Sequence, residues 1–176
     1  MKKLLLILTS FILFTSSTVE KSDLSEQVNA RIKSIYIYNF TKYIEWPEDY
    51  KAGNFVIGFI GSNTSLLTEL SKMAGTKQVG NQAIQIRNIS SIDNSDKFNI
   101  IYILTEKSVQ LSEVLSKMKG KSTLIITDKP GLAKQGACIN FVVVDSKQKI
   151  ELNKTNIAKS NLKVATTLVT MATEVN

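Results

Sequence analysis

The 176-residue chain contains no histidine. Imidazole general-base catalysis, Ser–His and Cys–His nucleophilic pairs and histidine-ligated metals are therefore excluded. Cysteine occurs once, as Cys138, so neither an internal disulfide nor a CxxC redox motif can form. The surrounding "ACINFVVV" reads as a buried strand, which predicts a packed structural thiol; an intermolecular or redox role is the alternative. Arginine is nearly absent: Arg31 and Arg87 stand alone beside a lysine-dominated charge. Lysines such as Lys51, Lys72, Lys77, Lys107 and Lys117 are scattered singly, without the clustered stripe or bidentate arginines that nucleic acid requires, so no nucleic-acid partner is expected. They read as a solvated surface, with weak attraction to an anionic membrane left open.

Long apolar runs are also missing. "LLLILTSFILF" follows Met1-Lys2-Lys3 and is itself followed by the small residues "TSST". A run of about eleven residues is too short for a membrane span, which takes about 20, and has the layout of a secretory signal peptide. The expected organisation is a signal peptide over residues 1–17 and a single domain over 18–176, exported and without a membrane span. Losing Lys2 and Lys3 with the leader lowers the formal charge from +7 to +5.

What is present alternates between two periodicities. From Asp23 to Glu45 the spacing predicts a helix, with Val28, Ile32, Ile35 and Asn39 forming one stripe and Tyr36, Phe40 and Tyr43 another. Ile37, Tyr38 and Ile44 fall off the main stripe, so the helix is either well buried or meets a partner. Ser22 or Asp23 can cap its start, and Pro47 ends it by disfavouring helical geometry at Trp46. "NFVIGFIG" reads as a strand, "SLLTELSKMAG" as a helix, "QAIQIRNI" and "FNIIYILTE" as strands. "SVQLSEVLSKMKG" reads as a helix with Val109, Leu111, Val114, Leu115 and Met118 inward, and "STLIITD" as a further strand. Continuous apolar strands separated by helices imply an α/β domain: a mostly parallel sheet covered by helices on both faces. "ACINFVVVD" and "KIEL", joined through Ser146-Lys147-Gln148, predict an antiparallel C-terminal hairpin at the sheet edge. Asn153 is placed to cap a short helix containing Ile157 that breaks at Ser160-Asn161, and "VATTLVTMATEV" reads as a final helix.

Chemistry-bearing motifs are few. "GFIGSNTS" is a strand-to-helix turn able to hold an anion, but it lacks both the dinucleotide fingerprint and the P-loop lysine, so no cofactor is expected. "ITDKPGLAKQG" places Asp128 at the carboxyl end of a strand and Pro130-Gly131 at the centre of a type II turn. In open α/β sheets ligands settle beyond the carboxyl ends of strands, so the Gly61 and Asp128 loops are candidates for one crevice, with an ordinary turn as the alternative. As an enzyme site this is one carboxylate without an evident nucleophile, and the expectation is a non-enzyme. "YIYNFTKYIEWPED" concentrates aromatics in a chain that is 7% aromatic. A core helix accounts for Tyr36, Phe40 and Tyr43, whereas Glu45 beside Trp46, with Tyr38 on another face, also suits a recognition surface.

Those residues carry a resemblance. "IYIYNFTKYIEWPED" is similar to the opening helix and Trp-Pro exit of the YfiR family of periplasmic proteins, and the segment from "TLIITDKPG" to "TTLVTMA" resembles its C-terminal half. The resemblance implies a secreted α/β domain without catalysis that restrains an inner-membrane signalling protein, such as a diguanylate cyclase, by binding its periplasmic part, and so affects cyclic-di-GMP and biofilm behaviour. By matching position it points to Tyr38, Asn39, Phe40, Tyr43, Glu45 and Trp46, and to Asp128, Pro130, Gly131 and Asn140, as partner- or ligand-binding candidates, with no metal ligands. A periplasmic receptor for a small aromatic or anionic ligand is the alternative function, and a homodimer is left open. Better-known members carry cysteine pairs that make their control redox-sensitive; with Cys138 alone, no internal switch of that kind carries over. Asn161 stands where many relatives have glycine, a tolerable exchange at a left-handed position.

Overall fold

A computed structural model of the protein describes residues 17–62 and 64–176. The expected signal segment lies outside the described residues up to position 16. Helix α1 (Ser17–Tyr43) leads into a two-residue strand β1 (Ile44–Glu45), then β2 (Phe55–Ile60), α2 (Thr64–Ala74), β3 (Gln78–Val79), β4 (Gln82–Asn88) and β5 (Ile100–Ile103). The second half runs α3 (Leu111–Lys117), β6 (Leu124–Thr127), β7 (Ile139–Val144), β8 (Lys147–Leu152), α4 (Lys154–Lys159), β9 (Lys163–Val164), α5 (Thr166–Met171) and β10 (Thr173–Glu174).

The main sheet has eight strands in the order β10-β8-β7-β6-β5-β2-β4-β3, while β1 and β9 form a separate antiparallel pair. Strands β4, β2, β5, β6 and β7 are mutually parallel, and β7–β8 and β4–β3 are antiparallel. This is the mostly parallel α/β domain that the continuous apolar strands predict. From β2 the chain steps to β4 through α2, and from β5 it steps the opposite way to β6 through α3. Right-handed crossovers therefore place the two helices on opposite faces.

Aromatic packing shows what α1 covers. Phe59 stacks on Tyr102 at 5.9 Å, Tyr102 meets Phe141 at 6.1 Å, and Phe40 and Tyr36 close over Phe141 at 6.0 and 5.9 Å. A row of rings thus runs across β2, β5 and β7 beneath the helix, and Phe40, Phe59, Tyr102 and Phe141 are all buried. Such ring pairs add about 0.5–1.5 kcal/mol each beyond the area they bury.

Several local expectations are met by identifiable atoms. The Asn153 side chain accepts from the Asn156 amide at 3.0 Å, capping α4. Asn161 follows that helix in the left-handed region at φ 51°. Gly131 has φ 85° and ψ −9°, the third-position geometry of a type II turn after Pro130.

Other expectations need correction. Backbone helix is already present at Ser17, ahead of the expected caps at Ser22 and Asp23, and it ends at Tyr43. Ile44–Glu45 is strand because it pairs with Val164–Lys163. The buried face of α1 is Ala30, Ser34, Ile37 and Phe40, continued by Ile44 of β1, whereas Val28 and Ile35 of the expected stripe are half exposed. Docking between the sheet and α2 selects neither expected stripe: the inward face runs through Ile37, which lay off both, and shares Phe40 alone with the second, while Tyr36 and Tyr43 are half-buried. Residues 105–110 form a 3-10 helix rather than the start of α3. Its three-residue turn rotates Val109 outward, leaving it 84% exposed. The hairpin turn lies at Asp145-Ser146, and β8 begins at Lys147. The final helix stops at Met171, because its Thr- and Val-rich sequence is a weak helix former and the following residues pair with β8 instead.

Candidate functional site

Helix α1 runs antiparallel to the parallel strands, so its two ends reach opposite edges of the sheet. At the carboxyl ends, Lys33 on α1 donates to Asp128 Oδ2 at 2.8 Å. Tyr102, at the end of β5, donates to the same oxygen at 3.1 Å, and Thr105 donates to Oδ1 at 2.8 Å and to the Asp128 carbonyl at 3.0 Å. The Asp128 side chain is 8% exposed, and each of its carboxylate oxygens is engaged by the protein itself. Burial, then the Asp128 charge and the hydrogen bond to it, hold the Tyr102 phenol well above its ordinary value. Tyr102 is therefore a fixed donor at physiological pH.

The neighbouring loops join this cluster. Glu106 accepts from the amide of Ser62 at 3.0 Å and from its hydroxyl at 3.3 Å, tying the loop after β2 to the loop after β5. Lys129 reaches Ser108 at 3.2 Å. The Gly61 and Asp128 loops thus flank the loop after β5 at one edge, where the strand order reverses between β2 and β5.

At the amino ends the chain leaves α1 through Trp46. Its indole is 5% exposed, stands edge-on to Phe55 at 5.0 Å, and donates from Nε1 to the Asn99 carbonyl at 3.2 Å. Glu45 is exposed and pairs with Lys163 at 3.1 Å. Tyr43 is half-buried, and its carbonyl accepts from the Ala165 amide at 2.8 Å.

The ten candidates from the sequence therefore do not converge. Tyr38, Asn39 and Tyr43 are half-buried on α1, and Phe40 is core. Glu45 and Trp46 lie at the amino edge of the sheet; Asp128, Pro130 and Gly131 lie at the carboxyl edge. Asn140 is fully buried on the face away from α1, where it accepts from Thr127 Oγ1 at 2.7 Å and donates to Glu151 at 2.9 Å. Those three residues are register partners across β6, β7 and β8, so the chain of bonds follows the pleat. Cys138 is buried with its Sγ 3.8 Å from Ser160 Oγ, and burial pushes its thiol up. That environment is the inert, packed one.

Sequence reasoning missed Lys33, Tyr102 and Thr105 as the partners of Asp128. Lys33 lies 95 positions away from Asp128, and among Asn29, Arg31 and Ser34 nothing local sets it apart. Tyr38 was expected on another face of α1, but Val28 and Ile35 were missed as outward residues of that helix. Tyr38 projects from the helix with the Lys42 and Lys77 ammonium groups at 4.7 and 6.0 Å from its ring, and Val28 and Ile35 are 50% and 52% exposed. None of the described helices is long and apolar enough to cross a membrane.

No curated protein matches the chain. The model of the YfiR/HmsC-like family matches residues 30–173, which takes in the aromatic helix, all eight strands of the main sheet up to Thr173, and the Asp128 cluster. With that match over most of its length, the chain belongs to the YfiR/HmsC-like family of periplasmic regulatory proteins.

Proposed function

We propose that the protein, exported by its leader to the periplasm, restrains an inner-membrane signalling protein, such as a diguanylate cyclase, by binding its periplasmic part and shifting it toward the inactive state. On this reading it acts by differential binding to two states of the partner and performs no chemistry itself. The observation that carries the reading is the outward face of α1. The helix already buries Ala30, Ile37 and Phe40, yet it leaves Val28 and Ile35 about half exposed. A further apolar strip on a helix with a complete core face suits a protein partner. Tyr38, Asn39, Tyr43 and Glu45 supply its polar and aromatic margin. Phe40, Trp46 and Asn140 contribute by specifying the fold.

Photocrosslinking tests this. The mature chain, residues 18–176, carries a photoreactive residue in place of Tyr38 and is applied to the source cell envelope. The expected result is one crosslinked inner-membrane signalling protein, lost in the same chain bearing Ile35→Glu. That substitution should weaken partner binding by about tenfold or more. It should leave stability within about 0.5 kcal/mol, because the side chain is exposed. A folded protein that gives no specific crosslink, or a crosslink indifferent to Ile35→Glu, overturns the assignment of α1 as the interface.

A further inference from the structure

The outward side of α1 carries a periodicity of its own. Val28, Arg31, Ile35, Tyr38 and Lys42 follow one another at steps of three and four residues. Val28 and Ile35 are about half exposed, Arg31 and Lys42 are exposed, and Tyr38 is half-buried. With about 3.6 residues per turn, the five fall on one narrow stripe, roughly opposite Ala30, Ser34 and Ile37. Val28, Ile35 and Lys42 recur every seven residues, as do Arg31 and Tyr38, which is the spacing of a coiled-coil seam. A stripe of this width suits another helix, whereas a helix lying on a membrane presents a wider apolar face.

The charge along the stripe is of one sign. Arg31 and Lys42 stand in the seam itself, and residues 28–42 contain no acid. Lys77, just after α2, lies beside the seam: its ammonium and that of Lys42 share the Tyr38 ring, whose hydroxyl donates to the Gln78 carbonyl at 3.5 Å. Among the described residues, none of Arg31, Lys42 and Lys77 is in an ion pair. Lys33, on the inward side of the same helix, is paired with Asp128. Two ammonium groups drawn to one ring, with no carboxylate paired to either, repel each other, and an acid brought from outside relieves that repulsion.

We infer that this stripe is the seat of an acidic amphipathic α-helix of the partner protein, packed along α1 as in a two-helix coiled coil. The apolar side chains of that helix lie against Val28, Ile35 and the Tyr38 ring, and its flanking glutamates or aspartates reach Arg31, Lys42 and Lys77. The stems of the two seam cations pack along the incoming helix while their heads meet its acids. Charged residues at seam positions fix which partner and which register are accepted, at a cost in stability. A second copy of this chain does not fit, because it brings the same cations and no acid to the seam.

This inference rests on the reading of α1 as the interface with a partner protein, and it adds that partner's form and charge. In the crosslinking, Arg31→Glu/Lys42→Glu should lose the envelope partner as Ile35→Glu does. Lys147→Glu/Lys149→Glu, an equal change of charge at exposed positions of β8, should keep it. A second measurement uses capped three-heptad peptides with leucine at both seam positions of each heptad and either glutamate or lysine at the flanking ones. In NMR titrations of the mature chain, the glutamate peptide should shift the amides of residues 28–42, with an affinity that falls as salt is raised. The lysine peptide should bind at least about tenfold more weakly, and Arg31→Glu/Lys42→Glu should invert that preference with the circular dichroism spectrum unchanged. No shift in α1 with the glutamate peptide up to about 1 mM, a range that still detects weak complexes, overturns the inference. Equal binding of both peptides does the same. So does self-association through these residues, which means a second copy, or binding to phosphatidylethanolamine–phosphatidylglycerol vesicles that is lost in Arg31→Glu/Lys42→Glu, which means a lipid surface. A partner lost in Ile35→Glu but kept in Arg31→Glu/Lys42→Glu would leave the interface and remove the acidic helix. Glutamate-peptide binding without any crosslinked envelope protein would keep the helix site and remove the regulator reading.

Discussion

Replacing Asp128 by alanine removes the group on which α1 and the loop after β5 converge, and the three donors it leaves behind differ in what they can do next. Tyr102 is fully buried, so its hydroxyl has no route to water. Leaving such a donor unpaired costs about 1–3 kcal/mol. Lys33 is 18% exposed. Its ammonium can turn toward solvent, which limits its share to about 1 kcal/mol. Thr105 is exposed and keeps its second bond, to the main-chain carbonyl of residue 128, and so adds little. The expected loss is about 2–4 kcal/mol, a large part of a typical 5–15 kcal/mol. Urea unfolding of the mature chain at pH 7 measures it as a shift in midpoint at constant slope. Native-state hydrogen exchange should place the loss first in α1 around residues 30–37, before the amides of β5 and β6 respond. The double-mutant cycle of Lys33→Met with Asp128→Asn should give a coupling of about 1 kcal/mol. An Asp128→Ala protein within about 0.5 kcal/mol of the parent would refute the reasoning. The carboxylate would then be dispensable to the fold and free for a ligand.

Two further outcomes follow from the same core. The Tyr102 phenol is held up by burial first and by Asp128 second, so the folded state favours its protonated form. Its contribution is complete below the ordinary value of 10.0 and is lost as pH rises above that toward the folded value. Tyr102→Phe should therefore be less stable than the parent at pH 7 and gain on it above pH 10, by up to about 1.4 kcal/mol per pH unit; parallel curves across that range would remove the assignment. Trp46 is the single tryptophan. Trp46→Ala should cost about 3–5 kcal/mol, and Trp46→Phe clearly less, by thermal unfolding. The emission of the parent should be that of a shielded indole and move to longer wavelength on denaturation. A Trp46→Ala protein of parental stability would contradict its packing against Phe55, and loss of partner binding in that variant would report damage to the fold.

The division between local and distant information explains what was readable. Continuous apolar strands, the Asn153 cap, the left-handed Asn161 and the Pro130-Gly131 turn all depend on residues within a few positions of one another. Backbone sterics and side-chain hydrogen bonds act at that range, so composition and spacing decide them. The α/β class followed, as did the C-terminal hairpin. Which face of α1 turns inward was not readable, because several apolar stripes satisfy helical periodicity and only the surface beneath, the rings of Phe141 and Tyr102, selects the one through Ile37 and Phe40. The same holds for β1 pairing with β9, a contact bridged by Glu45 and Lys163, 118 positions apart. It holds for the end of α5, where the open edge of β8 outcompetes a weak helix.

The candidate residues divide along the same line. Sequence alone determined that this protein has neither the imidazole nor the paired thiols for the commonest kinds of side-chain chemistry, and that its aromatic helix and Asp128 turn are the places to look. Only the tertiary structure decided that Phe40, Trp46 and Asn140 are interior, that Asp128 is occupied by Lys33, Tyr102 and Thr105, and that exposed apolar side chains lie on the outer side of α1 and at the end of β7. Burial is a property of what covers a residue, and the covering elements here come from the far end of the chain.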